Sequence, residues 1–401
     1  MTQSETRVFR LSQASSQLHH SRSAVSLHAH TQFSRECLEY LPCQAARIPV
    51  VGSIVQARIR RYEEANGKSI DFRRAWWTPP FSPAQVYVSE CEQIASLNLA
   101  PMVSITDHDS VEAGLTLQDH PAPEPIPVSV EWTVPIAGDY LHIGVHHIPA
   151  ARARSVMEVL AEYTAAPDSS PETLRDLFAF LAEPPDSLIV LNHPCWDVSR
   201  VGEAHHMTAV REFLTLCQPH VHAVEINGLR AWKENRGSIA IAEEVGLPVI
   251  AGGDRHGCSP NAVLNLTRAE SWAEFVSEVR EDAHTQVLLM PAYDEPLGLR
   301  QLETVADALR FYPKHPHGRR RFTSRTFADL PGYSPHPLSF YWDDGPPFWL
   351  RPILATIVAL GSESARPILR RTLFRRSEKD LMVQAEHVFS RATPLAQEIT
   401  Q

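Results

Sequence analysis

The sequence predicts an α/β protein built on a parallel sheet closed or nearly closed by helices. Two observations carry this expectation. Strand-length apolar runs alternate with helix-period segments from residue 24 to residue 251, the pattern of a parallel sheet with crossover helices. Histidines or acids then follow directly on most of those runs, and in parallel barrels the chemical groups gather at the C-terminal ends of strands.

Taken in order, residues 1–22 read as a loose polar leader and 24–28 (AVSLH) as a short buried strand. Residues 38–81 read as an irregular insert rich in arginine and proline. A helix is expected over 82–97, with Ser82 as N-cap and Pro83 at its first position, where the missing N–H costs nothing. Strands follow at 102–106, 127–130 and 140–145, a helix at 170–181, a strand at 188–191 and a helix at 207–217. A strand at 221–226, a helix at 236–245 stopped by Gly246 and a strand at 247–251 complete the alternation. Beyond 262–291 the pattern dissolves. Residues 292–347 are rich in Pro, His, Arg and aromatics, and 348–395 look helical.

The 401 residues are 43% hydrophobic and 21% charged, ordinary for a globular chain with a large core. A net charge of −10 gives no global basic field to recruit nucleic acid. The longest apolar run, 348–360, is broken by Arg351 and Pro352 and falls short of the ~20 residues that span a bilayer. The N-terminus has no signal-peptide apolar stretch, and the six cysteines form no CxxC pair. They read as free thiols of a reducing cytoplasm. Histidine is frequent, at 20 residues, a first sign of metal chemistry.

The ordered set of residues after the strands sharpens that sign. The first strand ends in His28-Ala29-His30 and the next in Thr106-Asp107-His108-Asp109. Glu131, His142, Asn192-His193-Pro194 and Glu225-Ile226-Asn227 follow, then Gly252-Gly253-Asp254-Arg255-His256. Residues two apart in an extended segment share a face, so His28 and His30, and again Asp254 and His256, can reach one ion. His19-His20, His146-His147, His205-His206, His315 and His317 lack this strand context and read as surface residues.

In this order SLHAHT, SITDHDS, VEW, LHIGV, LNHPC, VEINGL and AGGDRHG, over roughly residues 22–290, resemble the motifs of the PHP (polymerase and histidinol phosphatase) family. The resemblance implies a distorted (β/α)7 barrel holding two or three divalent ions, Zn, Mn or Fe. Known activities of the family include histidinol phosphatase, nucleotide phosphatase and polymerase proofreading exonuclease. By position it implies His28, His30, His108, Glu131, His142, His193, Asp254 and His256 as metal ligands, with Asp107 as the acid accompanying the second motif. The expected layout is a leader 1–22, a barrel 23–291 carrying the insert 38–81, and a C-terminal, mostly helical extension 292–401 of unknown role.

The implied reaction is hydrolysis of a small phosphorylated substrate, a phosphate mono- or diester, by a metal-bridging hydroxide. The ions, with Arg255, offset charge on the phosphoryl oxygens. The first motif departs from the family's HxHTxxSDG. Arg35 stands where the acid is expected, and Glu36 follows. An arginine cannot ligate a cation, so Glu36 is taken as the ligand. Arg35 entering the pocket to bind phosphate is the competing outcome. The insert's Arg58, Arg60, Arg61, Arg73, Arg74 and Trp76-Trp77 suit either a solvated excursion or a lid that grips an anion.

Three rivals remain open. An amidohydrolase of the related barrel group also begins with HxH, but many of those bridge two metals with a modified lysine. None of Lys68, Lys233, Lys314 and Lys379 falls on an expected strand. A regulatory barrel that has lost activity is the second. The third is a nucleic-acid enzyme using Arg319-Arg320-Arg321 and Arg370-Arg371 to Arg375-Arg376 as phosphate contacts.

Overall fold

Among the described residues fifteen strands organise the fold: β1 Glu5–Arg10, β2 Ser23–Ser26, β3 Glu36–Cys37, β4 Ala75–Trp77, β5 Ala100–Val103, β6 Val130–Ile136, β7 Asp139–His146, β8 Leu188–Leu191, β9 Ala223–Asn227, β10 Val249–Gly252, β11 Val263–Thr267, β12 His284–Leu289, β13 Thr326–Ala328, β14 His336–Pro337 and β15 Val388–Phe389. The computed structural model describes residues 5–39, 49–67, 71–122, 124–166, 170–329, 335–342, 345–372 and 388–389. Parts of the insert and of the expected C-terminal helix, with Arg375 and Arg376, lie outside the described residues.

The fold is mixed α/β. One sheet runs β15-β1-β12-β11-β2-β5, a second β10-β9-β8-β7-β6, and a small third β14-β13-β4-β3. The central strands are therefore shared between two sheets rather than joined in one continuous ladder. The two sheets meet at two seams. Isolated parallel bridges join Ile105 to Val128 and His108 to Glu131, and another joins Ala29 to Arg255. At the second seam the amide of Asp254 donates to the His28 carbonyl at 2.7 Å and that of His30 to the Arg255 carbonyl at 2.8 Å. His28 and Asp254 take positive φ, 62° and 55°. That conformation breaks a strand ladder and costs non-glycine residues roughly 1–3 kcal/mol each.

The sheet is not all parallel. β7 runs antiparallel to both β6 and β8. β6 and β7 form a hairpin closed at Ile136 and Asp139, with Ala137 and Gly138 at φ 51° and 75°. Two central residues with φ > 0 make the tight turn that suits twisted hairpins. The sequence hid it because alanine is an unusual residue there.

The leader is not loose. β1 pairs with β12 in parallel, and Thr6 bonds Thr285 side chain to side chain at 2.8 Å. Its apolar content is only Val8 and Phe9, which pack into different clusters. Two residues on opposite faces are too short a signal for a strand. The insert is more regular than expected, with a helix at Pro49–Asn66 before β4. Helix Pro83–Ala95 starts as expected, with Ser82 accepting from the Gln85 amide in a capping box. The last described helices are Arg351–Leu360 and Arg366–Thr372. Among the described residues no helix is long and apolar enough to cross a membrane.

The largest apolar cluster centres on Trp132, Phe178 and Phe213 under β6–β8. Each such side chain contributes about 1.5–3 kcal/mol on burial. This packing fixes the strands whose ends carry the polar residues below.

Candidate metal centre

Six segments converge at one end of the central strands. His28 and His30 follow β2, His108 follows β5, and His193 follows β8. Asp254 and His256 follow β10, while Glu131 and His142 lie within β6 and β7. Their donor atoms form overlapping sets that could each hold an ion: His28, Glu131 and His193; His108, Glu131 and His142; His28, His30 and Asp254; and His30, Glu36, His108 and His256. Glu131, fully buried, is common to two of these. Its Oε2 lies 3.0 Å from His28 Nε2 and 3.1 Å from His108 Nδ1, and its Oε1 lies 3.1 Å from His193 Nε2.

His193 Nε2 pairs with Glu131 Oε1 and His256 Nε2 with Glu36 Oε2, but other donors approach without satisfying one another. Nε2 of His28 and His30, Oε2 of Glu131 and Nδ1 of His142 are all buried and make no hydrogen bond. Each such orphan costs about 1–3 kcal/mol, so a cluster of them suits donors aimed at a shared cation. Imidazole and carboxylate donors fit Zn, Mn or Fe better than Ca. The residues present therefore fit the metals that the resemblance implies.

Outer contacts orient the donors. Glu225 Oε1 takes His28 Nδ1 at 2.5 Å, turning Nε2 inward, and its Oε2 accepts the His193 amide at 2.9 Å. Such carboxylate partners fix the tautomer of metal-binding histidines. A Cβ on Gly252 would fall 1.6 Å from Glu225 Oε1, so only glycine fits there. Ser34 donates to Glu36 Oε1 at 2.5 Å, lies 3.2 Å from His30 Nδ1 and accepts the His108 amide at 3.1 Å.

Without metal, the centre is a network of opposed charges. Burial works against charge on Glu131, yet His28, His108 and His142 hold its carboxyl well below the usual range. Burial likewise opposes a charged His108, but Glu131 and Glu36 raise it to about 10. His30 goes the other way, driven down to about 3 by burial and by His256.

Glu36 is buried on β3, with Oε2 2.9 Å from His256 Nε2 and 3.5 Å from His108 Nε2. Arg35 is exposed and lies over the Trp76 ring, 5.3 Å from its centroid. Asp107 turns away from the donors. Its carboxylate accepts the Thr31 amide at 2.5 Å and the Thr31 hydroxyl at 2.7 Å, and burial raises it to about 7. Its place is behind the first motif.

Arg255 corrects the expectation of a phosphate-facing guanidinium. It donates to Glu90 Oε1 at 2.6 Å, to Ser89 Oγ at 2.5 Å and to the Cys258 carbonyl at 2.8 Å. Asp254 and His256 reach the donor sets of the centre, while Arg255 between them reaches Glu90 behind it.

The guanidinium at the centre belongs instead to Arg230, which the sequence reading missed. Its Nη2 donates to Asp254 Oδ2 at 3.2 Å, and its Nε is buried without a hydrogen-bond partner. Its Cζ lies 3.4 Å from the centroid of Trp196, whose ring is 5.0 Å from that of His193. The only signal was its place three residues beyond the end of β9.

The insert meets the centre through Trp77, 6.2 Å from the His256 ring. Its charges do not. Arg73 pairs with Asp71, and Arg74 with Asp329 of the extension, both at the surface. Arg58 lies over Trp349, and Arg60 and Arg61 are exposed. Two histidines read as surface residues are buried: His146, 2.7 Å from Ser104 Oγ, and His206, 2.7 Å from Asp139 Oδ2.

No protein-family model matches the chain, and no curated protein matches it by sequence. Among solved structures it is similar to PsfC from Pseudomonas syringae PB-5123, with a TM-score of 0.37 and 13% identity over 68% of this chain and 93% of that one. It is also similar to an amidohydrolase from Chromobacterium violaceum with bound sulfate and no metal, with a TM-score of 0.29 and 16% identity over 44% of this chain and 83% of that one. A protein from Bifidobacterium adolescentis put forward as a metal-dependent phosphoesterase gives a TM-score of 0.28 and 14% identity over 50% of this chain and 91% of that one. Likeness at this level carries no argument about function, which rests on the geometry of the site.

Proposed function

We propose that this chain is a metal-dependent hydrolase of the PHP type, acting on phosphate esters of small molecules. The seven strands β2 and β5–β10, joined at the two seams, would serve as its distorted barrel. One observation carries the reading. Buried, unpartnered imidazole and carboxylate atoms converge beside a guanidinium that is itself short of a partner.

His28, His30, Glu131, His193 and Asp254 would hold one part of the metal set, and Glu36, His108, His142 and His256 the other. When bound, two or three such ions supply water activation and charge neutralisation near neutral pH. The chain's own residues do the rest. Glu225 and Ser34 fix the donors, and Arg230 offers N–H groups to phosphoryl oxygens, with Trp196 holding its plane. An arginine suits this task because its planar fork matches phosphate oxygens. The donors are recessed. His108 and His256 side chains are only 14% and 12% exposed, which supports a small phosphorylated substrate over duplex nucleic acid.

The test is a hydrolysis screen of the full chain against p-nitrophenyl phosphate, sugar phosphates, nucleotides, histidinol phosphate and short oligonucleotides, with Mn or Zn added. Turnover of a phosphate ester that vanishes on chelation supports the reading. Turnover by metal-free protein, or of amides alone, overturns it.

A further inference from the structure

A separate cluster lies beyond the Glu131 centre. The tip of the β6–β7 hairpin, the loop after His193 and the first turn of helix Glu203–Cys217 bring together Asp139, Asp197 and His206. One donor atom of each lies within 4.8 Å of the others. Asp139 and His206 are buried, and Asp197 is half-buried.

Both ring nitrogens of His206 face acceptors. Nε2 is 2.9 Å from the Pro194 carbonyl oxygen, and Nδ1 is 2.7 Å from Asp139 Oδ2. A neutral imidazole has one N–H and can satisfy only one of them. If that proton sits on Nε2 and goes to Pro194, the Nδ1 lone pair points at the carboxylates. This is the arrangement of a metal-binding histidine whose other nitrogen is held by a backbone carbonyl.

Charge balance points the same way. Among the described residues, no ion pair joins a lysine or arginine to Asp139 or Asp197; the ion pair of Asp139 is with His206. Asp197 accepts the amides of Val201 at 3.0 Å and Gly202 at 2.7 Å, and each oxygen keeps a second lone pair. Protonating His206 would still leave one negative charge over. A divalent ion beside neutral His206 cancels both carboxylates.

We propose that Asp139, Asp197 and His206 bind one divalent transition-metal ion, distinct from those of the Glu131 centre, with water completing the shell. Three nitrogen and oxygen ligands plus water suit zinc. The ion would tie the hairpin tip to the loop that follows His193 and carries Trp196, and so would hold one wall of the centre in place. Its role is structural, and it stands whether or not the chain hydrolyses phosphate esters.

The experiment counts Co2+ bound per full-length chain by elemental analysis, with circular dichroism to establish folding. His206→Gln and Asp139→Asn should each bind one ion fewer than the unsubstituted protein. Glu131→Gln, which takes a donor from two of the four sets of the main centre, should keep at least one ion, and adding His206→Gln to it should remove one ion more. A folded His206→Gln protein with an unchanged count overturns the proposal and leaves an imidazolium–carboxylate pair. Where His206→Gln and Asp139→Asn fail to fold, Asp197→Asn, at the half-buried ligand, gives the same readout. A Glu131→Gln protein that binds no Co2+ also overturns it.

Discussion

The two sides of the metal centre are built differently. On the Glu131 side the donors stand on or directly after packed strands, and Glu131 itself is fully buried. On the Glu36 side the ligand rides on a two-residue strand. β3 pairs with β4 of the insert, which pairs with β13 of the extension. The first side inherits its geometry from the central core. The second borrows it from two distant parts of the chain. The comparison teaches that a complete ligand set can mix positions held by strand periodicity with positions held by long-range pairing, and that these should fail in different ways.

The largest expected effect tests the strand-borne side. Glu131→Gln should strip ions from the centre and lower activity by on the order of 10³-fold, since one carboxylate serves several donors at once. Elemental analysis beside kinetics checks this, and retention of full metal content would break the comparison. Next comes stability. Arg255→Ala leaves Glu90 as a buried charge without its partner and should destabilise the fold by about 3–5 kcal/mol, with metal content unchanged. Denaturant melts measure it, and a loss of metal without a loss of stability would return Arg255 to the centre. Arg230→Ala also breaks a buried pair, with Asp254, so it should lower stability as well, and in addition it should lower kcat/KM for phosphate substrates by about 10- to 100-fold, the worth of one or two hydrogen bonds to charge.

The borrowed side should give a graded response. Glu36→Gln should remove one ion and cost activity about 10- to 100-fold, while Arg35→Ala does little. A silent Glu36→Gln with a harmful Arg35→Ala would reverse that assignment.

A pH titration of the chelated protein sharpens the picture. His108, held at about 10 without metal, binds its proton more tightly folded than unfolded. Its stabilising contribution is full below its ordinary pKa of about 6.5 and is lost as pH rises toward 10. Stability of metal-free protein should therefore fall between pH 7 and 10, and metal loading, which displaces that proton, should flatten the slope. The smallest effect belongs to Arg73→Ala and Arg74→Ala. Exposed ion pairs contribute about 0–1 kcal/mol, so KM should stay within about twofold. A large rise in KM would restore these arginines as anion-gripping parts of a lid.

What the sequence by itself determined is the part governed by local periodicity. The spacing of two marks His28 with His30, and Asp254 with His256, as pairs for one site, although left-handed backbone at His28 and Asp254 rather than a continuous extended strand carries them there. Helix starts such as Ser82-Pro83 and the alternation of strands and helices were readable for the same reason: the responsible contacts lie within a few residues of each other. Tertiary structure alone decided the rest. Ala137 turns the chain into a hairpin because β7 finds β6 and β8 as neighbours, and β1 forms because β12 offers it an edge. Arg230 reaches Asp254 across 24 positions, and Glu36 is seated by a strand whose own partner lies some 250 residues away. Such placements are set by which surfaces pack together in three dimensions, and no pattern along the chain encodes that distance.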